Sequence, residues 1–167
     1  RQMCIRDSIV DISNYVMLEL GMPLHIFDRD TILNNTIHIK RIGSESTFKT
    51  LDEIDRALVA SDTVICDSEK PLVLGGIMGG LNSGVTDETT QVFIEVANWQ
   101  AEEVRKTSTR LGLRTDSSQR YEKSLDSRQC YKTLLRTLDL ILQFCPEAKV
   151  VGKVEYDGDN LSEYNPL

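Results

Sequence analysis

The sequence predicts an α+β fold in which short strands build the centre and helices flank it. Three observations carry that expectation. Between Thr36 and Glu95, short apolar runs alternate with clusters of Gly, Asn, Asp and Ser, the punctuation of strands joined by tight turns. On either side of that region the apolar spacing changes to the helical period. At its heart, Pro71–Glu95 places two glycine pairs, Gly75-Gly76 and Gly79-Gly80, between the apolar runs Pro71–Leu74 and Val92–Ile94.

The chain has 167 residues, 40% of them hydrophobic, which suits one domain with a sizeable core. No apolar run approaches the ~18 residues needed to span a membrane. Cysteines stand at 4, 66, 130 and 145 with no close pair. That spacing argues against a zinc site or a disulfide framework and fits a reducing, cytoplasmic setting. The net charge is −7 and unevenly spread. Residues 43–95 carry ten acidic against three basic side chains, and residues 101–136 carry nine basic against five acidic. An acidic protein is a poor general nucleic-acid binder, yet a local basic stripe can guide one polyanion. The plainer reading of such a stripe is a set of solvated helix faces.

Taken in order, Ser8 is placed to cap a helix through Leu20, with Ile9, Ile12, Val16 and Leu20 on its apolar face. Gly21 and Pro23 end it. His25 follows in a corner, Pro23–Asp28. Strands are expected at 36–42, 46–51, 57–60 and 63–67, with Ile37 and Ile39 inward and His38 outward. Two more flank the glycine pairs, the second ending on Glu95. Asn98 is placed to cap a helix from Trp99 to Leu111, with Val104 and Leu111 inward and Arg105, Lys106 and Arg110 outward. Gly112 ends that helix, and a segment rich in hydroxyls and arginines follows. A last helix spans Ser127 to Phe144 on a stripe of Leu134, Leu135, Leu138, Ile141 and Leu142. A final strand is expected over 148–155, and 156–167 reads as a linker.

Glycines in strand surroundings make room either for close core packing or for a ligand lying on bare peptide. The spacing here is neither a dinucleotide fingerprint nor a phosphate loop. Glu95 has the same two readings, a strand end at the surface or a buried acceptor. If buried, it needs a partner or a raised pKa.

Three blocks narrow the choice. Ile9–Asp28 (IVDISNYVMLELGMPLHIFD), Pro71–Glu95 (PLVLGGIMGGLNSGVTDETTQVFIE) and Thr107–Asp126 (TSTRLGLRTDSSQRYEKSLD) resemble the editing domain of the bacterial phenylalanyl-tRNA synthetase beta subunit. The resemblance implies a three-layer β-sandwich core of unusual topology with flanking helices, over residues 9–155. It implies hydrolysis of tyrosine mischarged onto the phenylalanine tRNA, the alternative being a non-catalytic tRNA-binding or subunit-interface scaffold. It also implies an alpha subunit as partner in a two-alpha, two-beta tetramer. ATP and magnesium would serve the whole synthetase, with no cofactor in this segment. By motif, Glu95 matches the position that recognises the tyrosine hydroxyl, Gly76 and Gly79 the floor beneath the substrate, and Thr115 and Ser117 the pocket lining. Ser13, Asn14 and His25 match polar residues around the ester and its attacking water. Arg105, Arg110 and Arg114 are the expected tRNA-facing cations. Two departures stand out. A pocket arginine of the family falls on Cys4 by ungapped spacing, so residues 1–8 read as a leader outside the pattern. Ser117 stands where alanine is commoner.

Such a site has a physical rationale. Tyrosine is phenylalanine plus a hydroxyl, and an apolar pocket rejects an added hydroxyl by only about 10²-fold. A second site with a buried acceptor refuses phenylalanine by about 10⁴–10⁵, because the acceptor would be left unpaired.

Overall fold

The computed structural model describes residues 5–153. Over these residues it is an α+β fold built on three antiparallel sheets, with no closed barrel among them. The central sheet has four strands: β2 (His38–Arg41), β5 (Thr63–Cys66), β6 (Pro71–Leu74) and β7 (Met78–Gly79), in the order β2-β5-β6-β7. Two-stranded sheets pair β1 (His25–Asp28) with β8 (Val92–Glu95), and β3 (Ser46–Lys49) with β4 (Asp55–Leu58).

The two faces of the central sheet serve different cores, as strand alternation requires. Val64, Cys66 and Leu74 join Phe48 and Leu58 of the β3–β4 sheet, along with Val104, Leu113 and Tyr121. Ile65 and Val73 point the other way and join Phe27 of β1, Ile32 and the partly buried Phe93 of β8. The central sheet thus has a two-stranded sheet packed against each of its faces.

The helices are α1 (Ile5–Leu20), α2 (Ala101–Leu111), α3 (Asp116–Tyr121) and α4 (Gln129–Phe144). Helices α1 and α4 pack through Ile12, Val16, Leu140 and Ile141, with Ile94 of β8 against the cluster. Gly21 and Gly112 follow α1 and α2 at φ +75° and +59°, the left-handed stops their sequence positions predict.

Several expectations are corrected. Ser8 does not cap α1, because the helix begins by Ile5. Ile5 stands four residues before Ile9 and carries the apolar period upstream. Residues 5–8 are therefore continuous with the helix, and residues 1–4, Cys4 among them, lie outside the described residues. The corner Pro23–Asp28 contains strand β1, whose adjacent buried residues Ile26 and Phe27 hide the alternation. Strand β7, inside the glycine stretch, was likewise not expected. His38 is exposed as expected, but so is Ile39 at 52%, because β2 is an edge strand. Strand β4 starts at Asp55, within the expected turn, because Glu53 adopts φ +64° and closes the hairpin early.

Helix α2 begins at Ala101 rather than Trp99, and Asn98 donates to the Leu125 carbonyl at 3.1 Å instead of capping. Helix α4 buries Thr133, Thr137, Leu140 and Ile141, leaving Leu135 and Leu142 exposed. Thr137 fits that apolar face because its hydroxyl donates to the Thr133 carbonyl at 2.8 Å within the helix. Residues 148–153 form no strand. The rest of that expected strand and the linker at 156–167 lie outside the described residues.

Candidate functional site

Strands β1 and β8 pair with His25 directly opposite Glu95. Opposed residues project to the same face, with Cβ atoms about 4.5–5.5 Å apart. Glu95 is partly buried and accepts no hydrogen bond from the described residues. Burial pushes its carboxyl up to about 7. Burial acts in the opposite sense on His25, taking the imidazole down to about 4, and Nε2 is buried without a partner. At neutral pH the site therefore holds an uncharged imidazole beside a carboxyl near its midpoint. Neither group has spent its hydrogen-bonding capacity on the fold.

The glycine loop lies against this pair. A Cβ on Gly79 would fall 2.4 Å from Cε1 of His25, so the bare peptide is what lets the ring lie there. The ring also meets Phe27 edge-on, with centroids 4.6 Å apart. Gly76 has φ +67°, and the Trp99 indole and Val104 cover its Cβ position at 3.0 Å. The glycines thus have the first of the two roles left open by the sequence: they admit close side-chain packing, which brings His25 and Trp99 against the loop.

Thr115 is the N-cap of α3 in a reciprocal capping box with Ser118. Its hydroxyl also donates to the Ile77 carbonyl, between Gly76 and Gly79, at 2.8 Å. Ser117 is half-buried in the first turn of α3. Ser13 and Asn14 are not joined to this group by any described hydrogen bond. The Ser13 hydroxyl donates to the Val10 carbonyl of its own helix at 2.7 Å, and Asn14 is exposed.

The three arginines are engaged within the chain. Arg105 donates to the Glu122 carbonyl at 2.5 Å, and Arg114 pairs with the Glu122 carboxylate at 3.2 Å. Arg110 pairs with Asp62, which is buried and also accepts from Thr107 at 2.8 Å and from the Val59 N–H at 2.9 Å. Arg110 thus serves as a latch between α2 and the β4–β5 turn.

Sequence reasoning missed two neighbours of the site. Trp99 reads in the sequence as a helix start, and its packing over Gly75 and Gly76 is set by the fold. Tyr121 had no local signal, because its importance lies in backbone carbonyls of distant segments. Among the described residues no cluster of three or more His, Cys, Asp or Glu is placed to hold a metal, and no helix is long and apolar enough to cross a membrane.

The B3/4 domain profile matches residues 1–146. The chain belongs to the B3/4 domain family. This B3/4 domain is similar to part of the phenylalanine–tRNA ligase beta subunit of Porphyromonas gingivalis, at 46% identity over 138 residues, covering 82% of this chain and 17% of that protein. The Carboxydothermus hydrogenoformans beta subunit is 42% identical over 137 residues, 82% of this chain and 17% of that protein. The Clostridium tetani beta subunit is 38% identical over 159 residues, 95% of this chain and 20% of that protein. The B3/4 domain thus spans a fifth or less of the length of these relatives.

Proposed function

We propose that this B3/4 domain is the editing module of a phenylalanine–tRNA ligase beta subunit, hydrolysing tyrosine from mischarged phenylalanine tRNA. The observation that carries the reading is the uncommitted pair, Glu95 opposite His25, beside a glycine loop. In its ionised form Glu95 accepts a hydrogen bond from the phenol of tyrosine. Phenylalanine offers no donor there, so its binding leaves a desolvated carboxylate unpaired. Neutral His25 orients a water on the ester carbonyl, with Ser13, Asn14 and the tRNA's terminal adenosine completing its placement. That is catalysis by positioning more than by strong acid–base chemistry. In this reading water, rather than a protein nucleophile, attacks the ester. In this reading the domain acts in the cytoplasm, Arg105 and Arg114 face the tRNA, and an alpha subunit in a two-alpha, two-beta tetramer charges it with ATP and magnesium.

The test is deacylation of tyrosyl- and phenylalanyl-esters of the phenylalanine tRNA by the 167-residue chain. Tyrosine is released preferentially. Glu95→Ala loses most of that preference, and His25→Ala slows release by about 10²-fold. A second reading, a tRNA-binding scaffold without hydrolysis, draws on His25 and Trp99 occupying the glycine faces assigned to substrate. Folded protein that binds the tRNA and releases neither amino acid establishes that reading instead.

A further inference from the structure

Tyr121 closes α3 and is almost fully buried, at 2% exposure. Its hydroxyl oxygen lies 2.9 Å from the Pro23 carbonyl and 2.8 Å from the Ala97 carbonyl. Pro23 stands two residues before His25, and Ala97 two residues after Glu95. Because His25 opposes Glu95 in an antiparallel ladder, Pro23 and Ala97 flank the same open end of it. The backbone cannot carry the pairing further through Pro23, which has no N–H to donate. The phenol stands in for that missing donor. It has one proton, so it donates to one carbonyl at a time while contacting both. At the other end of α3, Thr115 holds the Ile77 carbonyl of the glycine loop. One short helix therefore ties down the three segments that carry His25, Glu95 and the loop.

We infer that Tyr121 is a positioning residue of the site: its hydroxyl closes the open end of the β1–β8 ladder and so sets where His25 and Glu95 stand relative to each other. Its kinetic consequence rests on the hydrolytic reading above; its structural consequence does not. Burial, with Glu95 and Cys130 beside it, pushes the phenol's pKa upward, so it remains a donor at any working pH.

Tyr121→Phe removes the hydroxyl and keeps the ring. Two measurements read the effect on the 167-residue chain: the carboxyl NMR titration of Glu95, and the preference for tyrosyl over phenylalanyl ester. Loosening the ladder end admits water to Glu95. Its midpoint is expected to fall by about one unit or more, and the ester preference by about tenfold. Replacing Tyr121 by 4-aminophenylalanine, which restores a donor at the ring's para position, returns both towards the parent values. A folded Tyr121→Phe protein with an unmoved Glu95 midpoint and unchanged preference overturns the inference. Where the parent chain releases neither amino acid, the editing reading fails, and the Glu95 midpoint alone decides this one. Should Tyr121→Phe fail to fold, the 4-aminophenylalanine protein decides: a parent-like midpoint supports the positioning role of Tyr121, and a midpoint displaced by about a unit or more overturns it.

Discussion

At the scale of single residues, His25 and Glu95 make opposite demands on stability. His25 ordinarily titrates near 6.5 and is held at about 4 in the fold. The unfolded chain therefore binds the extra proton between those values, and stability falls as pH drops through that window. Glu95 ordinarily titrates near 4.5 and is raised to about 7. Here the folded chain keeps the proton, so stability falls as pH rises from 4.5 to 7. Each contributes a slope of about 1.4 kcal/mol per pH unit inside its window, and where the windows overlap the two largely cancel. Urea unfolding across pH 4.5–6.5 should thus give a nearly flat contribution from this pair in the parent chain. Glu95→Gln should expose a stability that rises with pH, and His25→Gln one that falls. Identical pH profiles for the two variants would remove the argument that both groups are desolvated. Gly79→Ala is a second residue-scale prediction. Its Cβ meets the His25 ring at 2.4 Å and Leu51 at 3.0 Å, so overpacking should cost about 1–3 kcal/mol in urea unfolding and displace the imidazole. A loss of activity that exceeds the loss of folded protein distinguishes the second effect from the first.

At the scale of elements, α2 is held to the β4–β5 turn by the buried Asp62 and its partners Arg110, Thr107 and the Val59 N–H. Arg110→Ala leaves that carboxylate buried with its charge partner gone. The fully buried case costs about 3–5 kcal/mol. Arg110 remains 35% exposed, so water screens the pair and about 1–3 kcal/mol is the expected loss in urea unfolding. The consequence for function is indirect. Because Arg110 is a latch, reversing its charge would disturb the fold along with any tRNA contact. Arg114 is the cleaner probe, since its side chain is 65% exposed, against 35% for Arg110, and its partner Glu122 is less deeply buried than Asp62.

At the scale of the whole molecule, the domain is acidic, at −7, yet its cations concentrate in the helical half. Guiding a polyanion to one face of an acidic body takes few cationic contacts, each adding about one to the slope of log affinity against log salt. Arg114→Gln should weaken binding of the phenylalanine tRNA and lower the slope of log affinity against log salt by about one, while loss of the Glu122 pair costs about 1 kcal/mol or less in urea unfolding. Equal affinity at low salt would move the tRNA face elsewhere on the surface.

Legible along the chain are the class of fold, the run of strands from β2 to β6, the glycine stops after α1 and α2, and the candidates Glu95 and His25. These are local properties. Burial period, turn residues and a short motif are written in neighbouring side chains. Where the local signal was blurred, as in the doubly buried Ile26-Phe27 of β1 or the threonine-lined face of α4, the element or its inward face was misread. It takes the folded chain to bring His25 opposite Glu95, to fill the space the glycines leave with Trp99 and His25, to pair Arg110 with Asp62, and to carry Tyr121 to the Pro23 and Ala97 carbonyls. The physical reason is common to all four. Desolvation and cross-strand opposition depend on atoms supplied by segments tens of residues apart, and no periodicity within one segment records what another will bring.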